Sequence, residues 1–71
     1  MDLAKLRSES EQKIKEYESR LQTMEEKDVQ HFCQEGNGPL ANITEHIAAE
    51  YRRHIETYAA LIAQIDAILG A

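Results

Sequence analysis

From Asp2 to about Gln34 the chain holds no glycine or proline, and large apolar residues recur at Leu3, Leu6, Ile14, Tyr17, Leu21, Met24 and Phe32. Steps of three and four residues are the period of one face of an α-helix, so a first helix is expected over about 2–34. Its apolar stripe is narrow, because Ser10 and the Asp28–Val29 pair fall on beats where a large apolar residue would otherwise sit. Away from the stripe, Glu9–Lys13, Glu11–Lys15 and Glu16–Arg20 each place an acid four residues before a base. Such pairs stabilise a solvated helix by ~0.2–0.5 kcal/mol each. Two starts are open: Asp2 as the cap, or Ser8 with Glu11 as a capping box that leaves the first residues frayed.

The pattern breaks once, at Glu35-Gly36-Asn37-Gly38-Pro39, which gathers two of the three glycines and the only proline. Gly36 suits the left-handed conformation that ends a helix, and Pro39 suits the first turn of the next. A turn over 35–39 returns the chain alongside itself as an antiparallel helical hairpin. The second helix is expected over about 39–69, with a start at Asn42, capped with the help of Glu45, as the alternative.

Along the second helix the apolar positions are Leu40, Ile43, Ile47, Tyr51, Ile55, Tyr58, Leu61, Ile62, Ile65, Ile68 and Leu69. The stripe widens as it proceeds. One residue per turn is apolar through Ile47, Tyr51 and Ile55, whereas between Tyr58 and Leu69 only Gln64 and Asp66 are strongly polar. A helix apolar over that much of its circumference needs more than one neighbour. In an antiparallel hairpin this wide end lies against the start of the first helix, where Leu3, Ala4 and Leu6 give way to Arg7, Ser8, Glu9, Ser10 and Glu11. Each large apolar side chain left uncovered forgoes roughly 1.5–3 kcal/mol of burial. A second copy resolves the mismatch. The fold class is therefore an all-α two-helix hairpin that dimerises into a four-helix bundle, with Tyr51, Ile55, Tyr58, Leu61, Ile62, Ile65, Ile68 and Leu69 at the oligomer interface.

Composition supports a small helical protein in need of outside stabilisation. The 71 residues form one domain, 42% hydrophobic and 30% charged, in a size range where folding buries only about 60% of the unfolded surface. The single cysteine, Cys33, cannot form an internal disulfide, which leaves oligomerisation as the usual supplement. The net charge of −5 disfavours a nucleic-acid partner, because affinity for phosphate backbones is drawn from clustered Lys and Arg. The acidity is also spread: residues 1–36 hold six basic and nine acidic side chains, and residues 37–71 hold two and four. Tyr58–Leu69 is shorter than the ~20 apolar residues of a spanning helix, so no membrane partner is expected. Arg7, Ser8, Glu9 and Glu11 interrupt any early apolar run of signal length. A cytoplasmic location follows from that and from the lone thiol, and Asn42-Ile43-Thr44 then matches a glycosylation triplet by chance.

Candidate chemistry is sparse. His46, Glu50 and His54 stand four residues apart on one helical face, but bundle metal sites use a Glu-x-x-His motif with further carboxylates, and the first helix offers no match. No metal or cofactor is expected. His31 and Cys33, two apart on a helix, would diverge by about 200°. A Cys33 nucleophile would lack a base and a pocket. Arg52-Arg53-His54 is the only basic cluster, too small for nucleic acid; as functional groups the arginines would make carboxylate or phosphate forks to a partner protein. Gly36-Asn37-Gly38-Pro39 lacks the lysine and the preceding strand of a phosphate-binding loop.

The reading with most support is a non-enzymatic protein–protein interaction module, a small regulatory or inhibitory protein acting as a homodimer on a larger protein target. Two alternatives stand beside it. A structural or assembly coiled-coil subunit requires sustained heptads, yet the register Ile14, Tyr17, Leu21, Met24 runs into Asp28 and His31. A small-ligand oligomer, such as a nucleotide binder, would use Arg52, Arg53 and a tyrosine at a subunit interface.

Overall fold

The first helix starts where the first of the two caps predicts. The computed structural model describes residues 2–70, and α1 spans Leu3–Glu26 with Asp2 extended before it, its carboxylate accepting the Lys5 N–H at 3.0 Å. That bond satisfies one of the donors every helix leaves free at its N-terminus.

Helix α1 stops at Glu26, short of the expected 34. Lys27 donates its N–H to the Thr23 carbonyl at 3.0 Å, Asp28 turns left-handed at φ +50°, and Val29 donates to the Met24 carbonyl at 3.1 Å. This is a Schellman ending, with Asp28 in the place glycine usually takes and Met24 and Val29 supplying its apolar contact. Aspartate is one of the few side chains that tolerates the left-handed region, at a cost of roughly 1–2 kcal/mol. Asp28 and Val29, two of the residues that thin the apolar stripe, thus also end the helix.

The connection is a small β-ribbon rather than a five-residue turn, so the fold is mostly but not wholly helical. β1, Phe32–Cys33, pairs antiparallel with β2, Ala41–Asn42, in the register Phe32↔Asn42 and Cys33↔Ala41. His31 extends the pairing: its carbonyl accepts the Ile43 N–H and its N–H donates to Thr44 Oγ1, both at 2.9 Å. The predicted break at 35–39 forms the ribbon's tip, where Gly36 has φ +55° and Gly38 donates to the Glu35 carbonyl at 2.9 Å.

Helix α2 spans Thr44–Leu69, not 39–69. Pro39 lacks a donor and disfavours a helical conformation at Gly38, and the ribbon then holds Ala41–Asn42 extended. The cap position is Ile43, not the alternative Asn42, but the Asn42 side chain, two residues before the helix, still accepts the Thr44 N–H at 3.0 Å. Gly70 closes α2 in the left-handed region at φ +74°, its N–H bonded to the Asp66 carbonyl.

The helices pack side by side in a layer one helix thick, with extents of 53 × 27 × 14 Å. The radius of gyration is 16.2 Å, against about 11 Å for a compact chain of this length. Among the described residues only Ala48, Ile65 and Ser10 are buried, Ile65 at 2% and Ser10 at 1% exposure. The Ser10 hydroxyl donates to the Leu6 carbonyl at 2.8 Å, so the small polar residue that stands where a large apolar one was missing is buried without an unsatisfied group.

Candidate interaction surfaces

Tyr17, seven residues beyond Ser10 in the same helical row, is the hub of an aromatic cluster between the helices. Its ring centroid lies 5.4 Å from that of Tyr51, 5.1 Å from that of His54 and 6.4 Å from that of Tyr58, the last two stacked. The Arg20 guanidinium lies 5.4 Å from the Tyr17 ring centre and 5.8 Å from that of Tyr51, a cation–π arrangement. Arg20 and His54 thus cover one side of the aromatic seam with polar groups.

At the other end of the hairpin the charged start of α1 and the polar blemish in α2 meet. Arg7 grips Asp66 at two points, Nε to Oδ1 at 2.6 Å and its second terminal nitrogen to Oδ2 at 3.3 Å, and also pairs with Glu11. The hydrogen bond from Arg7 holds the Asp66 carboxyl below its ordinary pKa, with partial burial opposing and the guanidinium's charge adding to the shift. Bonds to Asp66 and then Glu11 raise Arg7 in turn. Sequence reasoning counted both residues as defects in apolar cover. Their opposite signs and similar distance, about one turn, from the hairpin's open end were the signal that they pair.

The expected interface residues divide. Ile65 is turned against α1 and fully covered, and Tyr51 and Tyr58 are half-buried in the ring cluster. Ile55, Leu61 and Ile62 are half-buried, whereas Ile68 and Leu69 are 70% and 51% exposed. Phe32 and Leu40 add exposed apolar surface on the ribbon. Arg52 and Arg53 are both exposed. Arg52 lines a groove of about 370 Å³ together with Leu21, Met24, Ala48 and the acids Glu25, Asp28 and Glu45. A second groove, of about 350 Å³, is lined by Met24, Val29 and Tyr51 with Arg20 and His31.

The histidines do not converge. His46 Nε2 meets Glu50 Oε1 at 3.1 Å, while His54 stacks on Tyr17 instead. His31 and Cys33 lie in extended chain rather than helix, which places them on the same side of the ribbon and removes the 200° divergence expected of them. Among the described residues, no three His, Cys, Asp or Glu side chains are grouped so as to hold a metal ion, and no helix is long and apolar enough to cross a membrane. Comparison with protein-family models, with curated proteins and with solved structures returned no match for this chain.

Proposed function

We propose that this chain is a non-enzymatic interaction module that acts as a homodimer and regulates or inhibits a larger protein target. The observation that carries the self-association is the thinness of the core. In a chain that is 42% hydrophobic, the described apolar residues that are buried are Ala48 and Ile65 alone. The accessible surface is 5460 Å², compared with about 4,500 Å² for a compact monomer of this mass. A surplus of roughly 1,000 Å² matches the ~800 Å² that each partner contributes to a standard protein interface. The regulatory role rests on what remains: shallow surface grooves, half-buried tyrosines and exposed arginines, the residue types that dominate binding energy at protein interfaces.

Sedimentation equilibrium across a wide concentration range tests the association. A species of twice the chain mass that dissociates on dilution together with its helical signal is the expected result. A monomer that melts cooperatively at a concentration-independent temperature overturns the reading.

A further inference from the structure

We propose that two copies of this chain pair antiparallel along the flank of α2 beside its contact with α1, with Ala59 at the two-fold axis and Arg52 of each copy reaching Asp66 of the partner subunit. The proposal rests on the homodimer reading and names its seam.

Glu45, Arg52, Ala59 and Asp66 are spaced by seven along α2, so they share one row. The adjoining row toward α1 is Ala48, Ile55, Ile62 and Leu69, aliphatic throughout. An antiparallel two-fold at Ala59 sets position 52 against position 66 and position 55 against the pair 62 and 63. A base and an acid therefore stand on either side of the axis, each about 10 Å from it by helical rise. Symmetry makes the complementarity double, since an isologous interface repeats each contact. A partner of another sequence would have no need of a row complementary to itself.

The charges are poised for it. Arg52 is exposed and takes part in none of the ion pairs found among the described residues. Asp66 is half-buried and already held by Arg7, yet a carboxylate has about four lone-pair sites. A second guanidinium completes an alternating run from Glu11 through Arg7 and Asp66 to the partner subunit's Arg52. Ala59 and Ala63 are exposed and small, which lets two helices approach toward the near end of the 8–10 Å range for packed helices.

The other available surfaces are poorer seams. Arg20 lies over Tyr17 and Tyr51, and His54 stacks on Tyr17, so a copy docking there would displace or bury charge. On α1, Glu11, Glu18 and Glu25 form a single acidic row on the side that flanks Ile14 and Leu21. Two such rows repel one another, which puts α2 rather than α1 on the axis.

Disulfide trapping tests the axis. Ala59→Cys and, as a control about 100° around the helix, Ala60→Cys are each made with Cys33→Ser and oxidised mildly. Because a disulfide needs Cα atoms within about 7 Å, Ala59→Cys is expected to give nearly complete covalent dimer and Ala60→Cys little. Separately, Arg52→Glu is expected to raise the dimer dissociation constant at least about tenfold in low salt, and Arg52→Lys much less. Arg52 is exposed, so a variant that keeps its helicity reports on the seam rather than on folding. If the unmodified chain is a dimer but Ala59→Cys traps no faster than Ala60→Cys, or Arg52→Glu leaves the constant unchanged, the seam is wrong and the association stands. An unmodified chain that is monomeric throughout overturns both.

Discussion

Arg7 and Asp66, 59 positions apart, close the open end of the hairpin through two guanidinium–carboxylate contacts, at 2.6 and 3.3 Å. Because the folded state depresses the Asp66 pKa, the contact contributes stability that is fully present above the unfolded carboxylate value of about 3.9 and is lost as pH falls through the lower folded value. Arg7, raised from an already high value, does not titrate in that window. The melting temperature is therefore expected to fall on acidification below about pH 4. The gap between the unmodified chain and Asp66→Asn should narrow over the same interval. A gap of equal size at pH 2 and pH 6 would show that the pair adds nothing.

Ser10 is the most buried of the described residues, at 1% exposure. Enlarging it to leucine forces the helices apart, and overpacking of this kind costs ~1–3 kcal/mol. Alanine is a different case. The hydroxyl bonds only to a carbonyl of its own helix, so Ser10→Ala leaves no group orphaned and gains roughly 0.5 kcal/mol of helix propensity. Urea titration of the two variants should move the midpoint in opposite directions, and a loss in both would argue that the hydroxyl itself is required.

Tyr17 touches three rings of α2, and aromatic pairs contribute ~0.5–1.5 kcal/mol each beyond their buried area. Tyr17→Leu keeps most of the apolar volume, and is expected to lower stability by ~1–3 kcal/mol on that basis and to weaken the near-ultraviolet dichroism of the remaining tyrosines. An unchanged spectrum would mean that Tyr51 and Tyr58 do not depend on this hub for their order.

At Asp28 the backbone φ of +50° is paid for in conformational strain that glycine avoids. Asp28→Gly should raise stability by up to ~1 kcal/mol, while Asp28→Val, branched at Cβ, should lower it by ~1–2 kcal/mol or more. Thermal denaturation distinguishes these outcomes, and a stabilising valine would contradict the left-handed assignment.

Much of this architecture was legible before any coordinates. The 3.6-residue rhythm, the Asp2 cap and the break at Gly36–Pro39 are local matters, settled by neighbours within a turn or two, and they placed two antiparallel helices correctly. The excess of apolar residues in Tyr58–Leu69 was equally plain. The helix end at Glu26 was not, because it rests on an aspartate in the conformation usually left to glycine. The β-ribbon was hidden too, since Phe32–Cys33 and Ala41–Asn42 are too short to show a two-residue alternation and are held by pairing across a turn.

What the sequence alone determined is thus the kind of molecule: two amphipathic helices with more oily surface than one chain can hide. Tertiary structure decided which residues answer one another across the layer: Tyr17 with Tyr51, His54 and Tyr58, and Arg7 with Asp66, while Ser10 is buried. Partners between helices depend on rotation and axial stagger, set by the packing of all side chains together, whereas helical period and capping depend only on residues near in sequence.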